Sequence, residues 1–372
     1  MFGKKKETTP QPQAPKEKPT PAFLRPDYPY QAIGEALKPE DCSEKNYIPG
    51  FDLFRIVGCI LVVATHHGFF RYYYDNMNTA YKLLSEGIPV FFIISGYLSG
   101  RCFSRQRVFR QIIRYAIPYF FVEFTMQVVF FSKLFIETGE NHLLGFAANI
   151  LRCFVIDNDQ IGITGQLWFI LALLYAFFLN AWMTGRARKA VIFSVIILRT
   201  ILAVLGEKNL IDWSAKLLEF IPLAGHVFRD EEIVRILNRF LTGLLFTTIG
   251  FDIGTWKVKP VYILLVGLIF CVLEICIYYL NIAVVFFSVA LFYGIKALPG
   301  QSFRPIHLEI SLFSVMMYFL HMVEKHAFYR FGVKYSLVSF LLVIVTNMLL
   351  TFFIAYLIRN RGRRISVGRG TA

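Results

Sequence analysis

The stretch Gly50–Phe70, GFDLFRIVGCILVVATHHGFF, is apolar enough to cross a bilayer, yet it carries Asp52, Arg55, His66 and His67. Ionisable groups inside a membrane span are costly, so they pair with one another or line a polar cavity. An α-helix rises about 1.5 Å and turns about 100° per residue. The eleven steps from Arg55 to His66 therefore give roughly 16 Å of rise and a net rotation of only about 20°. Both side chains point the same way, one near an edge and one near the middle of a hydrocarbon core about 30 Å thick. Asp52, Cys59 and Val62 lie close to the same line, whereas His67 points away by about 100°. A lone membrane histidine can serve simply as a helix-to-helix hydrogen bond. An aligned arginine and histidine at two depths instead describe a path that ends at a reactive base.

The rest of the chain fits that setting. Of 372 residues, 56% are hydrophobic and 17% charged, against about 25% charged in a soluble domain, and the mean hydropathy is +0.53. Apolar runs occupy roughly 50–70, 87–101, 111–132, 166–183, 190–206, 235–254, 260–280, 282–297, 309–327 and 336–358. They predict an all-α polytopic membrane protein with about ten transmembrane helices. The weaker apolar stretch 143–156 reads as a helix lying at the surface. Residues 1–45, rich in Pro, Lys and Thr, read as a disordered cytosolic tail that is not a signal peptide. Residues 46–358 form the transmembrane domain and 359–372 a basic cytosolic tail. No internal repeat is visible.

Lysine and arginine bias sets the orientation. With the N-terminus in the cytosol, the clusters at Arg101–Arg110, Arg186–Lys189, Lys257–Lys259, Lys296–Arg304 and Arg359–Arg369 all fall on the cytosolic side, and both termini are cytosolic. The outer loops are mixed; 206–234 holds Glu207, Asp212, Glu219, Asp230, Glu231 and Glu232. The net charge of +14 sits mainly in these loops and tails, which argues against a nucleic-acid partner and leaves membrane lipids as the surroundings. The six cysteines form no CxxC pair and read as small buried hydrophobes. No ligand cluster recurs at helical spacing, so no metal is expected.

Several motifs together resemble a known family. FDLFRIVGCILVVATHH is similar to the first helix of the acyltransferase family three membrane proteins, marked by Arg, ten residues and His. EGIPVFFIISGYLSG (Glu86–Gly100) is similar to that family's second helix, although Ile88-Pro89-Val90 departs from its pattern. RQRVFRQIIRYAIPYF (Arg105–Phe120) matches a cytosolic Arg-x-x-Arg before a proline-containing helix. GQLWFILALLY (Gly165–Tyr175) resembles the Trp-Phe-x-Leu signature of a later span, and MMYFLH (Met316–His321) a late Tyr-x-x-His ending. The resemblance runs in order over nearly all of 48–358. It implies transfer of an acyl group, commonly acetyl from acetyl-CoA, to a hydroxyl of a surface or lipid-linked glycan. The setting it implies is the bacterial cytoplasmic membrane.

Site residues follow. His66 is the expected catalytic group, as general base toward a sugar hydroxyl or as acyl carrier; the ten-residue spacing selects it over His67. Arg107, Arg110 and Arg114 share one helix face at i, i+3 and i+7. Guanidinium forks there suit the pyrophosphate and 3′-phosphate of CoA, the alternative being ordinary positive-inside charge. Arg55 is placed to take a phosphate or the neck of the pantetheine arm, with Asp52 one turn back to neutralise it. Glu123, about 12 Å into the third run, is a candidate to orient the imidazole or else a structural buried acid; Glu274 shares the ambiguity. His321, roughly 18 Å into the ninth run, is expected to position the acceptor, and Trp168 to stack on a sugar or pack helices. Gly96 and Ser95 read as positions where helices approach closely. Arg199, Arg235 and Arg239 in the outer half meet an anionic carrier or snorkel. A transporter or flippase of a glycolipid or sugar is the competing reading of the same intramembrane charges, and a scaffold for glycan export a third.

Overall fold

Every apolar run seen in the sequence has to hide its backbone polar groups from hydrocarbon, and helices do so within a single segment. The computed structural model accordingly is helical, with no strand among the described residues. Those are 47–66, 87–101, 103–140, 142–154, 167–220, 230–256, 259, 261–263, 265–269, 282–298, 303–332 and 337–369. The tail 1–45, His67, the loop 155–165, Glu274 and Cys42, Cys102, Cys271 and Cys276 lie outside them.

The helices are α1 (Pro49–His66), α2 (Gly87–Gly100), α3 (Arg105–Thr138), α4 (Leu143–Cys153), α5 (Trp168–Trp182) and α6 (Gly185–Leu205). There follow α7 (Glu207–Phe220), α8 (Asp230–Ile253), α9 (Ile282–Ala297), α10 (His307–Arg330) and α11 (Leu337–Arg369). The described parts of 260–280 are helical as well. Local sequence explains several ends. Ser104 caps α3 by accepting from the Arg107 N–H at 3.2 Å, and Thr184 caps α6 by accepting from the Ala187 N–H at 3.3 Å. Gly139, at φ 69°, closes α3 in the left-handed region that favours glycine. The last helix runs on to Arg369, through most of the basic C-terminal stretch.

The core forms around α2, which is apolar on every side. Phe92, Ile93 and Tyr97 pack with Leu245, Ile249 and Phe292 of α8 and α9. The α2–α8 seam is close enough that backbones touch. A Cβ on Gly96 would sit 2.2 Å from the Thr247 carbonyl oxygen, and one on Gly250 would sit 2.2 Å from the Ile93 carbonyl oxygen. Small residues permit this approach, as the sequence predicted for Gly96. The outer faces are apolar too. Phe121 is 70% exposed and Ile136 80% exposed on α3, surface suited to hydrocarbon rather than water.

Among the described residues, three helices are long and apolar enough to cross a membrane, Arg105–Thr138, Glu231–Ile253 and Leu337–Asn360. A fourth joins them if Gly185–Leu205 and Lys208–Lys216, bent by 100°, count as one span. Helices α2, α5 and α9, with 14, 15 and 16 residues, rise only about 21–24 Å, short of a core about 30 Å thick. Of the three, α2 and α5 are largely enclosed by protein, as is the end of the longer α8, so the apolar runs of the sequence become helices of unequal reach.

Candidate active site

Helix directions follow from aromatic contacts. Phe51 meets Tyr97 at 5.8 Å between ring centroids, and Phe54 meets Phe91 at 4.8 Å. So α1 and α2 are antiparallel, and the end of α2 lies beside Asp52. The start of α3, with Arg107 and Arg110, comes just after it. Phe177, near the end of α5, meets Phe251 near the end of α8, which puts Trp168 at the opposite, His66 end.

Helices α1 and α10 run parallel in seven-residue register. His307 Nδ1 lies 2.7 Å from Asp52 Oδ2, the Cys59 thiol donates to the Ser314 carbonyl at 3.9 Å, and the His66 and His321 rings are 5.3 Å apart. Seven residues make nearly two turns, so each step returns to the same seam, about 10.5 Å further along.

At one end of this seam Asp52, 2% exposed, gathers three donors. Arg55 Nη1 donates to Oδ1 at 3.0 Å, while the Tyr47 hydroxyl, at 2.9 Å, and His307 share Oδ2. Tyr47 also accepts the Phe303 N–H at 3.0 Å, fastening the turn before α10. Asp52 thus neutralises Arg55, and a guanidinium has five donors, of which this bond uses one.

Among the basic groups at the same end, Arg107 and Arg110 are half-buried and Arg114 is exposed. The Arg110 Nε is buried and has no hydrogen-bond partner among the described residues. A buried guanidinium N–H left over in this way is suited to an anion. Arg188, which the sequence did not single out, lies between Phe103 at 4.6 Å and Phe251 at 4.9 Å, and its Nη2 donates to the Asn180 carbonyl at 3.1 Å. It stitches the end of the bundle together.

At the far end stand the two imidazoles. His321 is fully buried, and its Nδ1 lies 2.5 Å from the Met317 carbonyl oxygen. Lys325, one turn on, donates to the His66 carbonyl at 2.5 Å and so caps the described end of α1, where carbonyls lack helical partners. Glu123, 1% exposed, takes a contact from the Cys153 thiol at 3.6 Å. Tyr119, one turn before Glu123, shares a buried cluster with Phe319, two residues before His321. Glu123 therefore stands near the level of the imidazoles and touches α4 through Cys153. Trp168 packs on Phe92 at 6.2 Å, with the Arg239 guanidinium 5.3 Å from its ring. Phe169, its neighbour, meets Tyr318 at 5.6 Å.

The residues singled out from sequence thus separate into two groups. Arg55, Arg107, Arg110 and Arg114 share one end; His66, His321, Glu123 and Trp168 share the other. His307 and Lys325 were missed. A signal for His307 exists, because fourteen residues separate Asp52 from His66 and also His307 from His321. Nothing comparable marks Lys325.

A bundle of apolar helices with apolar outer faces marks a membrane protein, and an imidazole pair lies between two of its helices. The chain belongs to acyltransferase family 3: the family model described as an acyltransferase domain matches residues 48–359. No curated protein and no solved structure matches the chain. The protein is an acyltransferase.

Proposed function

We propose that this acyltransferase moves an acetyl group from acetyl-CoA to a hydroxyl of a cell-surface or lipid-linked glycan, with His66 as general base. One observation supports the reading above others: the α1–α10 seam carries a guanidinium at one end and an imidazole pair at the other. The rise from Arg55 to His66 is roughly 16 Å, a span suited to an extended pantetheine arm. In this reading Arg107 and Arg110, aided by Arg114, hold the nucleotide phosphates, and Arg55 holds the neck of the arm. The acceptor enters at the opposite end, where Trp168 offers a face to a sugar ring. Neutral His66 takes the hydroxyl proton as the oxygen attacks the thioester carbon. A C–O bond forms, the C–S bond breaks, and the imidazolium returns its proton to the departing thiolate. Glu123 supports the charge from nearby.

The test is release of free CoA thiol by the purified protein given acetyl-CoA, with and without the envelope glycan fraction of the source cells. Glycan-dependent release is expected. Release indifferent to the glycan sinks the acceptor assignment, and no release sinks the donor assignment. The Arg107→Ala/Arg110→Ala double variant is expected to raise the KM for acetyl-CoA by about tenfold or more, since a charge-assisted hydrogen bond contributes about 1.5–3 kcal/mol. The KM for the glycan should not move. An unaltered donor KM removes the two arginines from the phosphate site.

The setting that goes with this mechanism is a bacterial cytoplasmic membrane crossed about ten times, with both termini in the cytosol. Reporter fusions check it. A cytosol-active reporter is expected to work at residue 372 and after Arg101, and to fail when inserted after Gly139. Activity after Gly139 inverts the orientation and with it the side from which the donor arrives.

A further inference from the structure

The geometry points to a second role on the α1–α10 seam: we propose that His321 is the positioning residue that orients His66, by accepting a hydrogen bond from its ring N–H. The inference rests on His66 being the general base. A carbonyl oxygen only accepts hydrogen bonds. His321 Nδ1, 2.5 Å from the Met317 carbonyl oxygen, must therefore carry the proton. In the neutral ring that assigns a lone pair to Nε2. The His66 ring is the neighbour, with centroids 5.3 Å apart. An imidazole nitrogen lies about 1.1 Å from its ring centre, so facing nitrogens come within about 3.1 Å when the rings turn edge to edge, the length of a hydrogen bond.

A directed chain results. In the proposed pose the His66 ring turns so that its N–H donates to His321 Nε2, a bond the two rings, tilted by 38°, do not make as they stand, while the His321 Nδ1–H donates to the Met317 carbonyl. The other His66 nitrogen keeps its lone pair and faces the substrate as base. When His66 takes the hydroxyl proton, its cation is stabilised by the lone pair already held against it. No charge need move beyond His66, and the proton goes on to the thiolate as before.

Two further observations support a built pair. The register that brings the rings together is fixed at its other end by the Asp52–His307 bond, with Cys59 and Ser314 between. Lys325, on the same face of α10 as His321, holds the His66 carbonyl at 2.5 Å. Helix α10 thus grips His66 by its backbone as well as facing its ring.

Two substitutions separate this role from a packing role. In His321→Asn the amide nitrogen takes the place of Nδ1 and keeps the bond to Met317, but nothing occupies the place of Nε2. In His321→Gln the longer amide brings its oxygen to the place of Nε2. Initial rates with purified full-length protein, acetyl-CoA and the envelope glycan fraction give kcat and both KM values. His321→Asn is expected to lower kcat about 100-fold with both KM values within about twofold. His321→Gln is expected to recover at least about tenfold of that loss. Combined with His66→Ala, His321→Asn should cost nothing more, because residues acting as a unit are not additive. A raised glycan KM at constant kcat would make His321 an acceptor contact and overturn the proposal. An Asn variant more active than the Gln variant would overturn it too, by making the Met317 bond the one that matters. If His66→Ala itself transfers at the wild-type rate, the base assignment falls first.

Discussion

His66→Ala is expected to reduce acyl transfer by at least about 1,000-fold while the protein still inserts and purifies as the wild type does. General base catalysis contributes about 10²–10⁴-fold, and loss of the oriented imidazole also forfeits the hydrogen bond that His321 offers. The fold should tolerate the change. The described end of α1 is held by a backbone contact, Lys325 to the His66 carbonyl, which alanine retains. The Asp52 cluster, about 21 Å away along the helix, does not depend on the imidazole. The measurement is thiol release from acetyl-CoA with the glycan fraction, alongside the ester-linked acyl content of surface polysaccharide from cells carrying wild type or variant. A variant that transfers at wild-type rate removes His66 from the chemistry.

The largest effect on stability is expected at Gly96. A Cβ there would lie 2.2 Å from the Thr247 carbonyl oxygen and 3.1 Å from the Gly250 Cα, all of it backbone. Backbone cannot swing aside as a side chain can, so Gly96→Val must part α2 from α8. Overpacking costs about 1–3 kcal/mol when side chains absorb it, and here the seam itself has to open, so a loss of about 3 kcal/mol or more is expected. Gly294 in α9 is the control, since a Cβ there meets nothing within 4 Å. Gly294→Ala should be neutral or stabilising by up to about 1 kcal/mol through helix propensity. Thermal unfolding in detergent, read as loss of the monodisperse peak, checks both. Equal midpoints for the two variants would mean that the α2–α8 approach does not limit stability.

Much of the fold was legible before any coordinates. Apolar runs and positive-inside clusters report hydrophobic burial and charge, both local properties, so the helical membrane class followed from composition. The span count was less direct. Hydropathy does not distinguish a helix enclosed by protein from one facing lipid, and α2 and α5 are short apolar helices that the bundle largely encloses. The site was legible in part. His66 and the arginines sit in recognisable spacings, and Gly96 lies in a small-residue pattern. Lys325 gave no such sign, because it occupies no motif whose chemistry is visible along one helix, and His307 showed only in the fourteen-residue spacing it shares with His321.

The sequence by itself determined the family, the helical character and which face of α1 carries Arg55 and His66, because 3.6-residue periodicity fixes the angle between side chains on one helix. Only the tertiary structure decided which helix that face meets. The pairs Asp52–His307 and Cys59–Ser314 are each 255 residues apart, as are the facing rings of His66 and His321. Periodicity tells a helix which side to bury and says nothing about its partner. That choice is made by the packing of the whole bundle, where glycine-lined backbones approach α2 and leave α1 and α10 to lie side by side.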